Sequence, residues 1–204
     1  MAVAYNIQAD IVDITTDTPR KEDSFVVDTN VWYWMTYSKA SMGAQPYQIK
    51  HYPVYTSDAL GVGSTIYQSG LSLAELTHLI EKAERDIYAA KNPKITTKTY
   101  RHNLPAERSR VCLEVQAACS QVLSLSSSLN LNIDAALSTS AINRFSNEKV
   151  DGYDLFILES MAANGVIQIV TDDGDFTTVP GIRVFTANKN VLAAAKAQGR
   201  LVVR

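Results

Sequence analysis

The sequence predicts an α/β fold in which a central, mostly parallel β-sheet is flanked by helices on both faces and interrupted by a helical insertion. Three observations lead to it. Short apolar runs such as SFVV (24–27) and VIQIV (166–170) alternate with longer stretches of helical periodicity, and that alternation makes neighbouring strands parallel. VIQIVT is nearly all apolar, as a strand buried on both faces must be. At 204 residues and 46% hydrophobic, the chain can bury one core but is short for two comfortable domains.

The elements follow in order. Val3, Tyr5, Ile7 and Ile11 are spaced by polar residues, which reads as an added edge strand over 3–14, followed by the charged connector TTDTPRKED. SFVV runs into DTNVWYWMTY, a strand, an acidic turn and an aromatic helix. A helix over 52–60 stops near Gly61 and Gly63, and STIYQSGLS reads as the second strand, ending near Leu71 and Ser72. A helix over 73–90 carries Leu76, Leu79, Ile80, Ala83 and Ile87 on one side. The polar, Pro93-containing span 91–104 reads as a loop. Pro105 then opens a helix whose Val111, Val115, Ala118, Val122 and Leu125 recur every three or four residues. Another helix starts near Asp134 and points Leu137, Ala141 and Phe145 inward. Helix 152–163 ends at Asn164-Gly165; GIRVF is a strand, NKNVLAAAKAQ a helix stopped by Gly199, and LVVR a last strand.

Composition removes several function classes. A net charge of -2 excludes a globally basic nucleic-acid binder, so any polyanion must be met by a local patch. Cys112 and Cys119 stand seven apart on one helix, too far for a disulfide, and read as buried free thiols. The three histidines are scattered, which excludes the usual structural-zinc spacings. The N-terminus lacks a leader pattern and no stretch is long enough to span a bilayer, so the expectation is a cytoplasmic protein without membrane contact.

The acids fall in a pattern. Asp28 ends the first buried strand, Glu75 follows the second, and TDDGD, with Asp172, Asp173 and Asp175, follows VIQIV. Asp151 and Asp154 open the preceding helix. Parallel sheets bind ligands at the carboxyl ends of their strands, so these positions should converge. Each acid alone has a structural explanation. Ser72 and Glu75 have capping-box spacing, as have Asp151 and Asp154. Asp28 suits an N-cap, and TDDGD an acidic turn with Gly174 at positive φ. Together these explanations weaken, because several uncompensated carboxylates repel one another unless a cation neutralises them. Oxygen donors without Cys or His favour Mg²⁺ or Mn²⁺, ions that hydrolyse phosphodiesters by activating water.

The pieces VVDTNV (26–31), SLAEL (72–76), DLFILESMAANG (154–165) and VTDDGDF (170–176) resemble, in order, the PIN-domain family of VapC-like metal-dependent ribonucleases. The resemblance implies a PIN-like domain over 24–204, preceded by an extension over 1–23 and carrying a helical, basic insertion over about 91–146. It implies that Asp28, Glu75, Asp154 and Asp173 are catalytic and hold metal, with Asp175 the second choice for the fourth position. Thr171 would order the site, while Thr29, Asn30, Asp151 and Asp172 would support the ligands. It further implies an RNA substrate, a toxin role with an antitoxin or other protein partner, and a homodimer. Small toxins of the family are shorter, which sets this chain apart.

Residues 91–110 hold Lys91, Lys94, Lys98, Arg101, Arg108 and Arg110 against one acid, Glu107, and offer a phosphate clamp with Tyr100 and His102 for stacking; a solvated loop is the alternative. Trp32, Tyr33, Trp34 and Tyr37, at helical spacing, favour core packing or a dimer face over RNA stacking. Three functions follow: a Mg²⁺/Mn²⁺ endoribonuclease of single-stranded RNA, a PIN-like binding module without chemistry, and a small-phosphoester hydrolase. The last would need an acid two residues after Asp28, where Asn30 stands.

Overall fold

Why the acids can meet is a matter of strand order. The computed structural model describes residues 3–204, so Met1 and Ala2 of the expected extension lie outside it. Among these residues seven parallel strands form one sheet: β1 (Asp10–Asp13), β2 (Ser24–Val27), β3 (Thr65–Gln68), β4 (Ser127–Ser128), β5 (Gln168–Val170), β6 (Arg183–Thr186) and β7 (Leu201–Val202), in the order β4-β3-β2-β5-β6-β1-β7. From β2 the chain moves outward through β3 to β4 and then returns to the opposite side of β2 as β5. Because βαβ crossovers are right-handed, that reversal sends the later helices to the other face. It also opens a crevice between the carboxyl ends of β2 and β5.

Alternation along the strands serves both faces. Phe25 and Val27 of β2, Val170 of β5 and Phe185 of β6 join one core with α1 (Thr29–Thr36), α2 (Pro46–Val62), α3 (Gly70–Ala89) and α5 (Pro105–Leu125). Val26, Ile169 and Val184 join the other with α6 (Ala135–Phe145), α7 (Gly152–Ala163) and α8 (Lys189–Ala197). A further helix, α4 (Thr97–Asn103), packs on α5. The α/β/α expectation therefore holds, and no described helix is long and apolar enough to cross a membrane.

Several local readings change. The N-terminal strand is not at the edge: β1 lies between β6 and β7, with Ile11 paired to both Val184 and Leu201. Strand β3 stops at Gln68 and α3 starts at Gly70, because Ser69 caps it by accepting the Leu71 N–H. Helix α2 is longer than expected, from Pro46 to the left-handed Gly63. The span 91–104 contains α4, which Thr96 caps by accepting the Thr99 N–H and which buries Tyr100 against Tyr88. Phe145 faces solvent, since α6 packs chiefly on α7 and Ala141 is its one fully covered residue. The α5 stripe is core as expected, with Ala118 and Val122 fully buried. Both cysteines are free but half-exposed.

The connector after β1 is fastened from the far end of the chain. Arg204 spans Asp17 (2.6 Å) and Asp23 (2.6 Å), lies 4.6 Å from the Phe185 ring centre, and is 6% exposed along its side chain. Arg204→Ala leaves two buried carboxylates without a cation, so chemical denaturation should show a loss of about 3–5 kcal/mol; an unchanged midpoint would mean the pair is solvated.

Candidate active site

Asp28 stands where β2 ends. Its N–H continues the ladder to the Val170 carbonyl (3.1 Å), as N-cap of α1 its Oδ1 accepts the Thr29 N–H (2.6 Å), and Oδ2 accepts the Thr171 hydroxyl (2.6 Å). Thr171 Oγ1 in turn accepts the Asp173 N–H (2.9 Å), and Asp173 Oδ1 accepts the Asp175 N–H (2.8 Å). One chain of hydrogen bonds thus fixes Asp28 to the loop after β5. Asp154 enters from the first turn of α7, and Glu75 from the second turn of α3.

Asp28 and Asp154 each feel the charges of Glu75 and Asp173. The carboxyl of Asp154 is pushed up to about 9, chiefly by burial and then by the charges of Asp28, Asp173, Glu75 and Asp151. That of Asp28 is pushed up to about 7, again chiefly by burial; the Thr171 hydrogen bond opposes this, while Asp173 and Glu75 add to it. Asp175, exposed at the rim, is raised by burial and by Asp173 and Asp151. Among the described residues no cationic side chain forms an ion pair with them. Elsewhere the chain pairs its buried acids: Asp23 with Arg204, Glu84 with Lys39, Glu148 with Arg144. Among the described residues Asp28 is the buried acid without such a partner, at 5% exposure.

The structural explanations for the other acids mostly fall. Ser72 sits inside α3 with its buried hydroxyl unpartnered, so it forms no capping box with Glu75. Asp151 is the N-cap of α7 but makes no side-chain capping bond, which leaves its carboxylate free beside Asp154. Gly174 has φ -72°, not a positive value. Glycine is needed there for a different reason, because a Cβ would collide with the ring and hydroxyl of Tyr5.

The TDDGD loop separates by role. Asp172 is spoken for: Tyr47 (2.8 Å), Gln48 (2.6 Å) and Tyr52 (2.6 Å) all donate to it, tying the start of α2 to the loop. Asp173 instead acts on Asp28 and Asp154, raising both carboxyls. Tyr5, which the sequence placed only in an edge strand, lies against this loop, near enough for Asp173, Asp175 and Asp172 to act on its hydroxyl after burial. Gln198 holds its segment by donating to the Tyr5 carbonyl (2.8 Å) and accepting the Ile7 N–H (3.0 Å). No motif in the sequence signals this contact.

The arginines of the basic group are engaged in ion pairs. Arg101 and Arg108 both pair with Glu81 (2.5 and 3.2 Å), and Arg110 with Glu107, so the arginines fasten the insertion to α3 and to itself. Lys91 and Lys94 line a separate hollow with Tyr88, and Lys98 is exposed. Tyr100 is too buried to stack on a base. Of the aromatic helix, Trp32 and Tyr37 are core, while Asn30 is exposed and Tyr33 and Trp34 are half-buried.

The donor set suits a hard divalent cation: oxygen only, partly desolvated, and anionic without a counter-charge. Among the described residues no three such side chains already stand in ion-holding geometry, so the cluster is open rather than a closed cage. Mg²⁺ tolerates that arrangement, because it keeps several of its own waters and takes only one or two carboxylates.

Two consequences are measurable. The folded chain keeps protons on Asp28 and Asp154 that the unfolded chain releases near the ordinary 3.8, so without divalent ions stability should fall as pH rises from about 4 through about 7 and 9. Asp154→Asn removes that penalty: its melting temperature should exceed the wild type by a few degrees at pH 8.5 and by much less at pH 4.5; an equal gap at both pH values would show ordinary titration. Gly174→Ala should displace Tyr5 and cost about 1–3 kcal/mol in denaturant unfolding, which Tyr5→Ala in the same chain should partly restore.

A comparison with curated protein sequences yields no match. The solved structure of VapBC2 from Rickettsia felis bound to a DNA fragment from its promoter contains a similar chain, 14% identical with a TM-score of 0.43, covering 78% of this chain and 96% of that one. The PIN domain family matches residues 25–182, which include Asp28, Glu75, Asp154 and the TDDGD loop. The chain therefore belongs to the PIN domain family.

Proposed function

We propose that this PIN domain is a Mg²⁺- or Mn²⁺-dependent endoribonuclease that hydrolyses phosphodiester bonds of single-stranded RNA. The reading is supported by Asp28 and Asp154, two desolvated carboxyls without a paired cationic side chain among the described residues, both raised further by Glu75 and Asp173, in a chain that pairs its other buried acids. Asp28, Glu75, Asp154 and Asp173 would hold the metal; Asp175 stands at the rim, and Asp172, with both oxygens taken, supports the loop. A bound ion supplies an activated water and charge neutralisation at the phosphate.

The remaining work belongs to the chain. Thr171 holds Asp28 in one orientation, and the Thr29 N–H holds its other oxygen. Asp154 retains a proton at neutral pH in the unneutralised cluster, so its release accompanies cation binding. Tyr5, outside the family match, covers the loop that carries Asp173.

The same open spacing favours a second reading, a PIN-like module that binds RNA or protein without chemistry. Purified protein with Mn²⁺ should cleave varied single-stranded RNAs, and Asp28→Asn or Glu75→Gln should slow cleavage by about 100-fold or more. Intact RNA, no heat of Mn²⁺ binding and salt-sensitive RNA affinity would select the second reading. Arg101→Ala should leave the cleavage rate near wild type, since Arg101 is engaged with Glu81. On family membership alone we extend the proposal to a toxin paired with a protein antitoxin, which co-purification with the product of the neighbouring coding sequence tests.

A further inference from the structure

Beyond Glu75, the same side of α3 presents Leu79 and Lys82 on its next two turns, and these form one wall of a cleft of about 570 Å³. Tyr33 and Trp34 of α1 also line it. Two links join this cleft to the carboxylates: Asn30, two residues after Asp28, and Gln48, whose side-chain amide donates to Asp172 (2.6 Å). The volume is that of a small-ligand site rather than a packing defect.

Its chemistry is that of a nucleotide. The Trp34 ring rests on Tyr52 (5.2 Å between centres) and the Tyr33 ring on Tyr37 (5.0 Å), so both are braced from behind by buried residues, and a base stacking on them would order little. Of the charged lining groups, Lys39 is held by Glu84 and Asp86 by Arg85. Lys82 is exposed and makes no ion pair among the described residues. An acidic cluster repels a polyanion, so affinity for RNA must come from beside it.

We propose that the cleft is a nucleotide subsite, where the base next to the cleaved phosphodiester stacks on Trp34 and Tyr33 while its backbone phosphate faces Lys82. The position relative to the cut rests on the nuclease reading; the binding does not. An apolar side chain of a protein partner is the competing occupant.

The chain has two tryptophans, and Trp32 is 1% exposed, so quenching by a ligand reports on Trp34. Titration with a single-stranded RNA decamer under chelation should give saturable quenching. Trp34→Ala and, by a separate assay of labelled RNA, Lys82→Glu should each weaken binding about tenfold, whereas Trp34→Phe should keep most of the affinity and so exclude misfolding as the cause. With Mn²⁺ present, the losses should appear in KM rather than kcat. RNA binding that leaves Trp34 fluorescence unchanged, or wild-type affinity in Trp34→Ala or in Lys82→Glu, overturns the proposal. Folded protein that binds no RNA also overturns it. If wild type cleaves no RNA yet quenching and the variant losses persist, the nuclease reading fails and the subsite stands.

Discussion

The pairing of β2 with β5, carried past the strand ends by the Asp28 N–H to Val170 and the Thr171 hydroxyl to Asp28, is the constraint on which the rest depends. It places a carboxylate and the loop bearing three more acids side by side at the point where the strand order reverses. Every other site residue approaches that pair. Asp154 arrives because α7 must lead into β5, and Glu75 because α3 must leave β3, the other neighbour of β2. The order of the strands selects which acids meet.

Charge is sorted with the same economy. Arginines occupy the structural acids: Arg204 on Asp17 and Asp23, Arg144 on Glu148 and Glu159, Arg101 on Glu81. Among the described residues the acids of the crevice pair with none. Folding therefore leaves a concentrated negative field at one end of the sheet, with Asp28 and Asp154 holding protons well above the usual carboxylate range. Such a site opposes its own stability and gains most from a counter-charge brought from outside. In the basic run at 91–110, which suggested an RNA clamp, three of the six cations are bound to carboxylates of α3 and α5.

Some of the site was legible because local pattern reports chain position. Asp28 directly follows an apolar strand, and VIQIV directly precedes TDDGD; both facts survive folding unchanged. Glu75 was legible as an acid after a strand; its capping-box alternative falls because capping-box spacing does not say where a helix begins, which Ser69 decided. Asp172 and Asp173 are adjacent and chemically identical in sequence. Only the three donors on α2 distinguish them.

By itself the sequence determined what depends on periodicity and on strand ends: parallel strands alternating with helices, the buried α5 stripe, and acids placed at carboxyl edges. Those features involve neighbours within a few residues, where spacing and geometry are nearly the same thing. Tertiary structure alone decided that β1 is flanked on both sides by other strands, that Tyr5 closes over Gly174, that Arg204 secures the connector, and that α3 and α1 leave a cleft beside the acids. These contacts join residues up to nearly two hundred positions apart. No local pattern encodes them, because they form only after the two cores have brought the strands into order.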